Sequence, residues 1–249
     1  MFLKMLKVCI ISTTIIIFHS ASAFALCNGL PPTIVGGNGD DILRGTNGND
    51  VIEGRGGNDT IFGNGGDDVI CGGADGDIIR GGDGNDIIFG NAGDDALLGG
   101  SGNDTIHGNQ GGDFIRGESG NDRIMGGEGM DHLIGNQGDD TLFGGPGDDW
   151  IYGNAGNDTL RGNDGDDLVV GGVGSDTLRG GNGSDDIRGG PGRDTIFGGP
   201  GDDTIIPGAG QDNVDAGSNG EVEGDLCIDQ GIHSREFSRW AGCENIARR

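Results

Sequence analysis

Aspartate recurs at every ninth residue through most of this chain. The series runs Asp41, Asp50, Asp59, Asp68, Asp77, Asp86, Asp95, Asp104, Asp113, Asp122, Asp131, Asp140, Asp149, Asp158, Asp167, Asp176, Asp185, Asp194, Asp203 and Asp212, with no exchange for Asn, Glu or Ser. A turn that needed only a terminating polar side chain would tolerate such exchanges. With four His in the chain and no thiolate cluster, the donors on offer are carboxylates and backbone carbonyls. Oxygen donors of this kind hold a hard cation.

The elements that position these carboxylates come from the same period. Twenty nine-residue copies follow one another without insertion from Gly36 to Asp215, and Gly81-Gly82-Asp83-Gly84-Asn85-Asp86-Ile87-Ile88-Phe89 is representative. Glycine holds the first and fourth places with the exceptions of Pro207 and Asp75; the eighth place is always Leu, Ile or Val. Glycine at places one, four and often two permits the positive backbone angles of tight turns, so places one to six read as a loop. Places seven to nine, such as Thr60-Ile61-Phe62, read as a three-residue strand whose middle side chain faces inward. If two copies make one turn of a flattened coil, odd copies stack Leu43, Ile61 and Ile79 while even copies stack Ile52, Ile70 and Ile88. The fold expected is an all-β parallel β-roll of about ten 18-residue turns, with two facing parallel sheets of ten short strands each.

One aliphatic side chain per nine residues cannot repay the entropy of ordering nine backbones. Stacking also brings sixth-place carboxylates of successive turns within about 5 Å of each other, where they repel. A cation between turns resolves both difficulties. Calcium fits flexible glycine turns better than magnesium, which demands a stricter octahedron. Twenty loops with each site shared between copies two apart give an upper count of 18 ions.

The unit Gly-Gly-x-Gly-x-Asp-x-aliphatic-x resembles the repeat-in-toxin (RTX), or hemolysin-type, calcium-binding nonapeptide. That resemblance implies a β-roll that folds on binding calcium and is exported, with the twenty aspartates from Asp41 to Asp212 as ligands. Departures at Asp75-Gly76, at Met130 and Arg193 before Asp131 and Asp194, and at Pro207 imply weaker sites there.

The segments around the repeats follow a secretory plan. Residues 1–23 read as a signal peptide, with Lys4 and Lys7, an apolar run from Val8 to Phe18 and a small-residue cleavage site after Ala23 or Ala25. No segment is long enough to span a membrane. Residues 24–35 form a lead-in covering the first turn, and residues 216–249 a closing cap, which repeat stacks require. Past the leader four cysteines remain, which allow three pairings; Cys227 with Cys243 is favoured because both lie in the cap, leaving Cys27 for Cys71.

Composition limits the function. A net charge of −26 and 59 glycines in 249 residues argue against nucleic acid, anionic membranes and a large layered core. The chain contains neither Gly-x-Ser-x-Gly nor His-Glu-x-x-His, so no enzyme is expected. Ice binding would need a regular threonine ladder at the third place, which reads Asn38, Asn47, Gly56, Gly65 and Ala74. His107 and His132 fall at outward places and read as bystanders. Outward Phe114, Trp150 and Tyr152, with Leu98, Ile134, Leu168 and Val170, form an apolar strip suited to a protein or cell-surface partner or to self-association. The expected function is a secreted calcium-binding protein with a structural, adhesive or partner-binding role; the alternative is an accessory module or remnant of a secreted polysaccharide-modifying enzyme or toxin.

Overall fold

The computed structural model describes residues 27–217, 226–229, 240–241 and 245–248. The segment read as a signal peptide and the pairing of Cys227 with Cys243 lie outside the described residues.

Every repeat contributes one strand, and each strand pairs in parallel with the strand two copies on. Ile88 thus stands beside Ile106 in one sheet, and Leu133 beside Ile151 in the other. The two sheets face each other as a parallel β-roll. Their inner surfaces are the eighth-place residues, from Ile52 to Val214, all essentially without solvent contact; Leu43 is half-buried at the first turn. A side-chain period of two explains why the flanking seventh and ninth places turn outward.

Two expectations are corrected. Most repeat strands are six residues long rather than three, running from the seventh place of one copy to the third place of the next, as in Thr60–Gly65 and Ile87–Ala92, although Ile42–Arg44, Thr195–Phe197 and Asn213–Asp215 keep the expected three. Each sheet also has twelve strands rather than ten. Ile34–Val35 in the lead-in pairs with Val51–Gly56 and covers the first turn of one sheet. Trp240–Ala241 extends that same sheet at its far end, and Leu226–Asp229 with Asn245–Arg248 extends the other. A bond joins the sulfurs of Cys27 and Cys71, 44 residues apart, and ties the lead-in to the second turn of its sheet.

Candidate metal centre

The sixth-place aspartate ends the connection between strands and folds its side chain back into the roll. From Asp59 to Asp203 these side chains are no more than 2 % exposed. One oxygen of each is already used. Asp86 Oδ1 accepts the N–H of Asp68, Asp104 Oδ1 accepts that of Asp86, and Asp122 Oδ1 that of Asp104, each at 2.8 Å. The carboxylates therefore lie along a ladder in which each later turn caps the backbone of the turn before it, and the Asp59 carbonyl in turn accepts the N–H of Ile78 at 2.9 Å.

The other oxygen is left without a partner. Oδ2 is enclosed and unpaired in sixteen aspartates, Asp59 through Asp194. A buried acceptor in this condition is costly and rare in native proteins. Asp131 and Asp194, which follow the unusual Met130 and Arg193, are enclosed like the rest. The first two aspartates differ, because Asp41 Oδ2 accepts the N–H of Gly37 at 2.6 Å and Asp50 Oδ2 accepts both the N–H and the hydroxyl of Thr46. Asp212, half-exposed, closes the series at the other end.

The first-place glycine has a role that differs from the one expected of it. Its φ is not positive; the positive angles fall at the second and fourth places, as at Gly82 (φ 123°) and Gly84 (φ 129°). Asparagine serves at the second place in Asn64, Asn91 and Asn109, consistent with its tolerance of that region. What the first place requires is space. A Cβ on Gly81 would collide with Asp86 Oδ2 and crowd the Gly99 carbonyl of the next turn. The missing side chain leaves a cradle with an unpaired carboxylate oxygen and a backbone carbonyl converging on it. Among the described residues no three His, Cys, Asp or Glu side chains come together, so this donor set mixes carboxylates with carbonyls, as hard divalent cations of the calcium type accept. Pro207 meets no conflict of backbone angle at the first place but carries the Cβ that the other copies lack, and the aspartate five residues on, Asp212, is half-exposed.

The electrostatics point the same way. Burial pushes Asp95, Asp104 and Asp149 up to about 7 and Asp167 to about 8, with the backbone hydrogen bond opposing and neighbouring aspartates adding to the rise. Asp68 and Asp185 reach about 6 for the same reason. Asp50 is the exception, held below the usual carboxylate range by the Thr46 N–H. Carboxyls raised in this way either keep their protons or need a cation to ionise.

A family model described as the RTX calcium-binding nonapeptide repeat (4 copies) matches residues 35–70, 72–106, 98–133, 107–142, 125–160, 143–178 and 179–214. The chain belongs to this family. RTX repeats bind calcium, and here they do so on a β-roll. No curated protein matches the chain.

Two further features of these RTX repeats escaped the sequence reading or exceeded it. Fifth-place Asn and Asp form a second ladder running the opposite way: Asn103 Oδ1 accepts the N–H of Asn121 at 2.7 Å, and Asp67 Oδ1 that of Asn85 at 2.9 Å. The recurrence of Asn or Asp directly before the sixth-place Asp was the available signal. On the outer surface, Phe114 and Trp150 are exposed, and both meet the edge of the His132 ring, which Tyr152 also approaches at 5.5 Å. His132 therefore joins the aromatic strip, and His107 stacks on Phe89 at 4.8 Å in the other sheet. Among the described residues no helix is long and apolar enough to cross a membrane.

Proposed function

We propose that this chain is a secreted calcium-binding protein whose roll forms when the ion enters between turns, with the aspartates from Asp41 to Asp212 as its carboxylate ligands. The observation that supports this reading is the row of sixteen enclosed, unpaired Oδ2 atoms from Asp59 to Asp194. Bound calcium would supply positive charge to those oxygens and replace the protons that burial otherwise retains. The chain's own groups prepare the place. Oδ1 is fixed by an N–H of the preceding turn, the first-place glycine keeps the neighbouring space clear, and the second- and fourth-place residues turn the backbone around it.

Both ends of the series are weaker as sites. Asp41 and Asp50 already have hydrogen bonds on Oδ2, so the upper count of 18 ions assumes that these bonds open. The basic and apolar residues 1–23 support export to a compartment where calcium is plentiful. Outside the cell the rigid roll would act as a structural or adhesive element without catalysis, and the strip with Phe114, Trp150 and Tyr152 is its best surface for attachment or self-association.

Circular dichroism of the mature chain, titrated with calcium and then with chelator, tests the reading alongside elemental analysis of bound metal. We expect a largely unstructured metal-free chain at neutral pH that gains strand signal with calcium. Full strand signal in chelator at pH 8, with no metal bound, would overturn it.

A further inference from the structure

A groove of about 450 Å³ lies on the outer face of the sheet built from even-numbered copies, at Arg161, Arg179 and Phe197. That volume is in the range of small-molecule sites. Arg161 and Arg179 are direct partners on neighbouring parallel strands, so their side chains leave the sheet about 4.8 Å apart. Like charges side by side are unfavourable on a sheet.

Elsewhere the strand arginines either lie over an aromatic ring, as Arg44 and Arg80 do over Phe62 and Arg123 does over Phe143, or are offset by a carboxylate. Arg55 pairs with Glu53, Arg116 with Glu118 and Arg188 with Asp186, each two residues away on the same strand. At Arg161 those flanking positions are Thr159 and Asn163, and at Arg179 they are Thr177 and Gly181. Neither guanidinium has a carboxylate partner among the described residues. In a chain with 41 acidic residues, two adjacent uncompensated arginines are a distinct local departure.

The surroundings hold the pair in place and add other contacts. Arg179 lies over the Phe197 ring at 4.2 Å, which fixes its plane. Asn163, Asn182 and Asp164 line the same groove, with the Asn182 amide donating to Asp164 Oδ1 at 2.6 Å. Asp164 lowers the local excess to a single positive charge and supplies an acceptor for hydroxyls. We propose that this groove binds a hydroxylated ring carboxylate, the chemistry of a sugar acid. The two guanidiniums take the carboxylate in charge-assisted hydrogen bonds. The Phe197 ring holds the Arg179 guanidinium in place for it, and the Asn and Asp side chains meet the hydroxyls of the ring.

The proposal rests on the outer face of the folded roll and not on what folds it. The test is a calorimetric titration of the folded chain in calcium buffer with glucuronate, glucose and sodium sulfate, repeated on R161Q/R179Q. Strand signal and the calcium midpoint for folding, measured on the same samples, are expected to match between the two proteins because both arginines are exposed. We expect glucuronate to bind, glucose to bind at least about tenfold more weakly, and the double substitution to weaken glucuronate by on the order of tenfold or more. The proposal fails if folded chain does not take up glucuronate or if sulfate binds as tightly. It fails equally if R161Q/R179Q binds glucuronate unchanged, because the ligand would then reach the protein through calcium.

Discussion

Replacing Asp104 by Asn separates the two roles of the sixth-place carboxylate. Asn retains an oxygen to accept the Asp86 N–H, now made at 2.8 Å, but loses the charge and the enclosed second oxygen. In the metal-free roll that second oxygen is a burden. Burial lifts Asp104 to about 7 against about 3.9 for an unfolded aspartate, and three pH units correspond to about 4 kcal/mol. Without metal at pH 8 the Asn variant is therefore favoured in the folded state, so D104N should not lower whatever strand signal chelator leaves. With calcium the sign reverses. Asp104 stands between Asp86 and Asp122 in successive turns, so it borders two shared sites, and each ion contributes about 2.7 kcal/mol at a hundredfold excess over its Kd. We expect D104N to bind one or two fewer ions by elemental analysis and to need more calcium at its folding midpoint, with a loss of about 3–5 kcal/mol in urea unfolding at fixed calcium. Asp50→Asn is the comparison, and its smaller effect follows from the Thr46 donors that already occupy Oδ2. If D104N binds as many ions as the unmodified chain at an unchanged midpoint, the enclosed oxygens are not ligands.

Three other outcomes follow from the same geometry. The folded-state values near 6 to 8 exceed the unfolded value, so metal-free stability from these groups is fully present below about pH 4 and is lost as pH rises through 6 to 8; dichroism in chelator should show strand signal in acid that disappears by pH 8, so that folding comes to require calcium over the same interval. Gly81→Ala forces a Cβ against Asp86 Oδ2, whereas Gly39→Ala meets nothing within 4 Å; the first should cost about 1–3 kcal/mol by overpacking and reduce the ion count, and the second should leave both nearly unchanged. Replacing Phe114 and Trp150 by Ser should preserve calcium-dependent folding, since both side chains are exposed; sedimentation and surface-attachment assays that remain unchanged would rule out the aromatic strip as a contact surface.

The eighth-place aliphatics made the roll legible, because a buried side chain at every ninth residue leaves few other arrangements, and all from Ile52 to Val214 face inward. Strand length was not legible. Places one to three are mostly glycine and small polar residues such as Gly63-Asn64-Gly65, which have little strand preference of their own. They extend because the neighbouring turn offers a complete set of backbone partners, as in the register of Asn64 with Gly82. The first-place glycine was visible as a constant, yet its cause was not. Conformational freedom was the local explanation, and the actual requirement, room for an aspartate five residues on, exists only once the side chain has folded back. The outward arginines gave no signal in a linear reading, since the pairing of Arg161 with Arg179 arises from a spacing of eighteen.

The two side-chain ladders make the roll a rod with unlike ends. Each sixth-place carboxylate from Asp59 to Asp212 caps an amide of the turn before it, and each fifth-place Asn or Asp from Asp40 to Asp166 caps an amide of the turn after it. A cut across the rod would therefore expose sixth-place carboxylates and fifth-place amides on one face, and the complementary groups on the other. Two such cut faces would fit only head to tail, in the register of the next turn, and would continue as a fibre. Ile34–Val35 at one end and the strands at Leu226–Asp229, Trp240–Ala241 and Asn245–Arg248 at the other occupy those faces. By this reasoning they set the length of the particle as well as closing its sheets.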